Sequence, residues 1–149
     1  MNVLHCAACG RRLTEPVRRL DAVPEPPPYE GGAAPDGLYR APATLPRGAY
    51  CIDEAPFGAP YVQPSGAGEW DPCIADGPRG TMVLNPDDVL DLEPHPVPRR
   101  NVGCCGPAGR DGVNRLCTCG AEVAILSADC YTSYELRFVP DAVRVEPAV

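Results

Sequence analysis

The residues best able to do chemistry here are nine cysteines. They run as Cys6-x2-Cys9, then Cys51 and Cys73 alone, then Cys104-Cys105, Cys117-x-Cys119 and Cys130. Thiolates are soft ligands, and Zn2+ takes four of them tetrahedrally at about 2.3 Å. Two ligands from one tight turn and two from a second, distant turn meet that demand with little strain. Glycine directly follows Cys9, Cys105 and Cys119. A chain turning around an ion needs the positive φ that glycine tolerates. These pairs lie in polar, glycine-bounded turns rather than apolar runs, which favours metal over packing.

Two partitions of the ligands satisfy the spacing. In one, Cys6, Cys9, Cys117 and Cys119 close a long-range site that ties the N-terminus to the last third of the chain. In the other, Cys105, Cys117, Cys119 and Cys130 form a local site, and Cys6 and Cys9 pair with Cys104 and His5. Seven cysteines and His5 make eight ligands, enough for two tetrahedral ions. The expected cofactor is Zn2+, as one or two ions, although thiolates also suit iron–sulfur clusters and Cu(I).

Cys6-Ala-Ala-Cys9-Gly10 resembles the knuckle of zinc-ribbon proteins. Cys117-Thr-Cys119-Gly120 resembles a second knuckle shortened by one residue. The chain also looks like a family of small cysteine-rich proteins of GC-rich bacteria, a resemblance that brings no activity with it. The ribbon resemblance implies a structural metal and covers about a dozen residues.

The other candidate groups read as ordinary. Cys51 and Cys73, alone in their segments, are expected to be small buried hydrophobes. His95, between prolines, is expected in an exposed loop. Asp87, Asp88, Asp91 and Glu93 look like a solvated helix face. Gly106–Gly112 is glycine-rich but lacks the strand–helix frame and the lysine of a phosphate cradle. Indeed the chain has no lysine at all, which also excludes Schiff-base chemistry. A thioredoxin-like use of Cys6 and Cys9 needs a strand before and a helix after, and Pro16 cuts any helix short.

Composition sets the frame. With 20 prolines, 15 glycines and little Leu, Ile, Val or Phe, the 149 residues can bury only a modest core, so metal is expected to help hold it. With no apolar leader at its start and an odd cysteine count, the chain is expected in the reducing cytoplasm, without a membrane segment. The net charge of −7 argues against nucleic acid. The acids, however, concentrate in residues 21–94, and the basic stretches are the cysteine-rich ones. Arg11, Arg12, Arg18, Arg19, Arg99, Arg100, Arg110 and Arg115 would form a basic patch if the knuckles met.

The elements that must position the cysteines follow. Residues 1–20 read as a knuckle and a short hairpin with a strand near Val17–Leu20. Residues 21–80 read as a Pro/Gly-rich irregular segment, partly mobile, with short strands at Ala49–Asp53 and Pro60–Gln63. In 81–149, Thr81–Leu84 is a buried strand, Asn85 caps a helix of a turn or two, and Ser133–Val139 alternates as a half-buried strand. AVRVEP is one more edge strand. The expected fold is a single small β-rich or irregular α+β domain with a zinc-knuckle, ribbon-like core and a loop-dominated middle. The expected function is a non-enzymatic interaction or regulatory protein. The alternatives are a nucleic-acid-associated zinc-ribbon accessory protein, or a thiol redox-switch or metal-handling protein.

Overall fold

The computed structural model describes all 149 residues. It is β-rich and loop-rich. Its strands are β1 (Asn2–Cys6), β2 (Arg18–Arg19), β3 (Ala49–Asp53), β4 (Tyr61–Val62), β5 (Ile74–Ala75), β6 (Thr81–Leu84), β7 (Glu93–Pro94), β8 (Arg115–Leu116), β9 (Glu122–Ser127), β10 (Glu135–Phe138) and β11 (Val143–Pro147). Helix is confined to three single 3-10 turns, at Pro86–Asp88, Pro98–Asn101 and Pro140–Ala142, so the α part of the expected α+β class is missing. Each starts on proline, whose fixed φ suits a first helical position, and each passes at once into extended backbone. Asn85 does cap the first, accepting the Asp87 N–H at 2.9 Å, but the helix lasts one turn.

Seven strands form one sheet in the order β2-β3-β6-β10-β9-β8-β7, antiparallel except for the β2–β3 pair. β4 and β5 make a separate hairpin, and β1 pairs with β11 as a two-stranded ribbon. The first strand of the chain is thus Asn2–Cys6, ahead of the knuckle. It pairs with the far end of the chain rather than within an N-terminal hairpin alone.

Register decides which side chains share a face. Tyr50, Leu84, Leu136 and Leu126 lie across neighbouring strands, as do Ile52, Met82, Phe138 and Ala124. This face carries the main core, closed from above by Leu4, Leu13, Val17 and Val143 of the ribbon and its return segment. The opposite face is also covered. Cys51 and Val83 pack there with Leu45 and Ala49. Glu135 and Arg137, between the apolar positions of β10, are buried with them. Arg137 donates to Glu135 at 2.6 Å, to Asp53 at 2.8 Å and to the Thr81 hydroxyl at 3.2 Å, and its guanidinium lies 3.9 Å from the Phe57 ring centroid. The Thr44 hydroxyl donates to the other Glu135 oxygen at 2.8 Å. A fully partnered charge network makes this burial tolerable, so β10 is buried on both faces rather than one.

Asp88 departs from the expected solvated face. It is 2 % exposed and accepts from Arg47 Nε at 2.6 Å and the Gly48 N–H at 2.7 Å. The pair pins the loop entering β3 to the turn after β6. β3 is therefore an interior strand, although it comes from the irregular middle of the chain.

Candidate metal centre

Both knuckles are tips of hairpins. β1 delivers Cys6, and the chain turns back so that Leu13 N–H donates to the Leu4 carbonyl and Cys6 N–H to the Arg11 carbonyl, each at 2.8 Å. Gly10 closes the tip by donating to the Cys6 carbonyl at 2.8 Å, with φ +78°. The second tip joins β8 to β9. There Cys117 N–H donates to the Ala121 carbonyl at 2.9 Å, and Gly120, at φ +92°, donates to the Cys117 carbonyl at 2.8 Å. A side chain at either glycine would meet the left-handed penalty of an L-residue. The shorter Cys-x-Cys spacing still closes because the second tip is a four-residue turn.

The two tips face each other. Cys6 Sγ lies 3.8 Å from Cys119 Sγ, and Cys9 Sγ 3.7 Å from Cys117 Sγ. All four sulfurs lie within 4.8 Å of one another. A tetrahedral ion with sulfur at about 2.3 Å has edges of about 3.8 Å, which is this spacing. A disulfide needs about 2.05 Å, and all nine cysteines are free. The four residues therefore form a group that could hold a metal ion. Cys6 and Cys117 are fully buried and belong to the main core, while Cys9 and Cys119 are exposed. The centre sits at the edge of the core, where the ribbon meets the sheet.

The metal-free thiols divide sharply in acidity. Burial pushes the Cys117 thiol up, but the Cys119 N–H and the neighbouring thiols outweigh it and bring it to about 7. At Cys119 the Ala121 N–H acts downward, yet desolvation and the shared protons of the cluster push it to about 11. A cation held by these sulfurs would displace the protons they carry, so its binding would be favoured as pH rises.

Cys104, Cys105 and Cys130 form a second group whose sulfurs lie within 4.8 Å of one another. They are gathered by Asp129, a residue the sequence reading passed over. Its carboxylate accepts the N–H of Cys130 at 2.7 Å, of Cys105 at 2.8 Å and of Cys104 at 3.0 Å. Burial acts to raise the Asp129 carboxyl, but these three backbone donors hold it at about 2. Threonine closes the turn that carries it: Thr132 N–H donates to the Asp129 carbonyl at 3.3 Å, and Asp129 N–H to the Thr132 hydroxyl at 3.1 Å. Gly106, expected to supply positive φ, instead supplies space. A Cβ there would lie 2.5 Å from the Ala128 carbonyl oxygen.

The thiols thus divide as Cys6, Cys9, Cys117 and Cys119 against Cys104, Cys105 and Cys130. The mixed partition, with Cys105 and Cys130 joining the Cys117 knuckle, does not form. Nor does His5 join either group; its Nδ1 faces Glu146 Oε2 at 3.4 Å. β9 separates the groups, with Cys119 before it and Cys130 after it. Its six residues span about 20 Å at about 3.3 Å per residue, too far for a shared cluster.

Three other expectations need correction. Cys73 is exposed; only Cys51 is the buried hydrophobe, and desolvation pushes its thiol to about 11. His95 is largely covered, with Nε2 2.7 Å from Glu122 and Nδ1 accepting the Val97 N–H at 3.1 Å. A strand does precede Cys6, but a returning segment rather than a helix follows Cys9, as the His5–Arg12 bridge shows. That frame is not thioredoxin-like.

The arginines are largely engaged locally. Arg11 binds Asp91, Arg12 binds Glu15 and the Thr14 carbonyl, Arg100 donates to the Val113 carbonyl, and Arg115 to Asn101. Arg110 lies 5.1 Å from the Tyr131 ring centroid. Arg18 and Arg19 on β2, and Arg99 in the second 3-10 turn, are exposed. No helix is long and apolar enough to cross a membrane.

Comparison with protein-family models, curated proteins and solved structures finds no match to this chain. The likeness to zinc-ribbon knuckles therefore rests on the two hairpin tips alone, and a GC-rich bacterial origin gains no support.

Proposed function

We propose that this is a zinc-binding protein whose Cys6, Cys9, Cys117 and Cys119 hold one structural Zn2+. The observation that carries this reading is four cysteine sulfurs at tetrahedral spacing across two hairpins 108 residues apart. The donor set is all thiolate and leaves no open position, which suits a structural rather than a catalytic ion. When bound, the ion would link the ends of the chain, through β1 and its partner β11, to the β8–β9 hairpin of the sheet.

The protein then acts by binding rather than by catalysis. Both histidines are occupied by carboxylates, and no nucleophile–base pair accompanies them. The β4–β5 hairpin presents Tyr61, Val62 and Ile74 outward, and Trp70 in its connecting loop is 92 % exposed. Tryptophan is enriched among the residues that carry binding energy at protein interfaces. The nucleic-acid reading has less support, because most of the arginines that would form its patch are engaged within the chain.

Cobalt substitution tests the metal assignment. Co2+ added to metal-free protein under reductant is expected to give intense tetrahedral bands with sulfur-to-metal charge transfer. Cys9→Ser should weaken and shift them. Weak octahedral bands from the wild-type protein would refute a four-thiolate centre.

A further inference from the structure

Cys104, Cys105 and Cys130 differ from the four-thiol centre in each property that governs what an ion site takes. The protein supplies three sulfurs, not four. Cys104 and Cys105 are exposed and Cys130 is half-buried, whereas the first centre has two fully buried ligands. The acid nearest the sulfurs cannot complete the set. Asp129 is fully buried, and both its oxygens accept backbone N–H groups of the three cysteines themselves.

The triad is also built rather than casual. Gly103 and Gly106 bracket the Cys104-Cys105 pair, and neither has room for a side chain. A Cβ on Gly103 would lie 1.6 Å from the Gly106 carbonyl oxygen. Ala108 N–H closes the loop onto the Val102 carbonyl at 2.9 Å, and Ala128 N–H fastens it to the Pro107 carbonyl at 2.9 Å. The loop carrying two thiols is thereby fixed to the end of β9, beside the third. Preorganised ligands with an accessible approach suit an ion that enters and leaves.

We propose that Cys104, Cys105 and Cys130 form a second, exchangeable site for a soft ion that is satisfied by three thiolates, the chemistry shared by Cu(I) and trivalent arsenic. Zn2+ bound here would need an outside fourth ligand. A soft three-coordinate ion would not. The Cys104–Cys105 sulfur separation of 3.9 Å is close to the roughly 4.0 Å edge of a trigonal ion with sulfur at about 2.3 Å. Cu(I) replaces S–H bonds with Cu–S bonds and releases the thiol protons to solvent. Arsenite exchanges three As–O bonds for three As–S bonds, its hydroxyl groups leaving as water with the three thiol protons. Neither step changes an oxidation state. The inference does not rest on the zinc reading, since the two thiol groups stand at opposite ends of β9.

The test is anaerobic titration of the protein as purified, with Cu(I) in one arm and arsenite in the other. Metal content and zinc release are followed together. One equivalent of Cu(I) or of arsenic should bind without releasing zinc, and the arm that binds names the ion. Cys105→Ser and Cys130→Ser should lose that equivalent while keeping any zinc, and Cys73→Ser should keep both. Asp129→Asn, which touches no ion, should weaken binding roughly 10–100-fold. Failure of both ions to bind would overturn the proposal. So would binding only by displacement of zinc, or unchanged binding in the Cys105 and Cys130 variants. Protein that holds no zinc yet binds one soft ion through Cys105 and Cys130 would contradict the structural-zinc reading and leave this one standing.

Discussion

Buried and exposed cysteines predict different costs of replacement. Cys9 is an exposed ligand, so Cys9→Ser removes a metal bond without cutting a cavity in the core. Because binding of a structural ion is itself folding free energy, its loss should lower stability by about 3 kcal/mol or more, roughly a 10 °C drop in melting temperature. Cys73→Ser, equally exposed but outside both groups, should melt within a degree or two of wild type. Thermal melts of the two variants, with metal content measured alongside, check this. Asp129→Ala carries another cost. It strips the acceptor from three backbone N–H groups, each worth about 1–3 kcal/mol if left buried and unpaired, and denaturant melts should show a large loss. At this scale the thiols were legible and their organiser was not. Spacing marked Cys6, Cys9, Cys117 and Cys119 because ligands cluster in sequence. Asp129 works through backbone donors of residues up to 25 positions away, which no local pattern displays.

Among the elements, the ribbon of β1 and β11 is the piece that an ion shared by the two tips would hold down. Leu4, Cys6 and Val143 bury part of it against the sheet, and an ion at the thiol centre would add a bond at the Cys6 end. Chelation should raise amide exchange in β1 and β11 ahead of β6, β9 and β10, whose strands are paired on both sides. Hydrogen-exchange mass spectrometry before and after chelator would show the order; uniform exchange throughout would argue against it. The sheet's charged layer gives a pH test. Burial raises the Asp53 carboxyl, but the Arg137 guanidinium and the Ala55 N–H more than offset it, so its folded pKa lies below the usual 3.8. Its contribution is present above that value and lost as pH falls through the folded pKa. The stability gap between wild type and Asp53→Asn should therefore be widest near neutrality and narrow below about pH 4. Urea midpoints of both chains across that range measure it, and acid release of metal, common to both, cancels in the difference. The strands of this layer could be read from sequence: Ala49–Asp53 and Thr81–Leu84 appear at their expected places. The burial of Glu135 and Arg137 could not, because alternation along β10 is silent about a second covering layer from a proline-rich loop. β1 was missed for a related reason. Five residues show no period, and their partner lies at the other end of the chain.

At the scale of the molecule, charge and surface point the same way. An acidic chain whose arginines are mostly paired offers little to phosphate, so fluorescence anisotropy with single- and double-stranded DNA at low salt should show no binding. Affinity that falls steeply with added salt would revive the nucleic-acid reading. Trp70→Ala should leave melting temperature and metal content unchanged, because the side chain buries almost nothing; a lowered melting temperature would mean that the tryptophan serves the fold rather than a partner.

Whether the two hairpin tips share one ion is decided by a metal and thiol count. Protein is purified under reductant without added metal, its zinc is measured, and its reactive thiols are counted before and after chelation. One firmly held zinc per chain is expected, with four thiols that become reactive only when it is removed and Cys104, Cys105 and Cys130 reactive throughout. No zinc, with Cys9 and Cys119 freely reactive from the start, would contradict it.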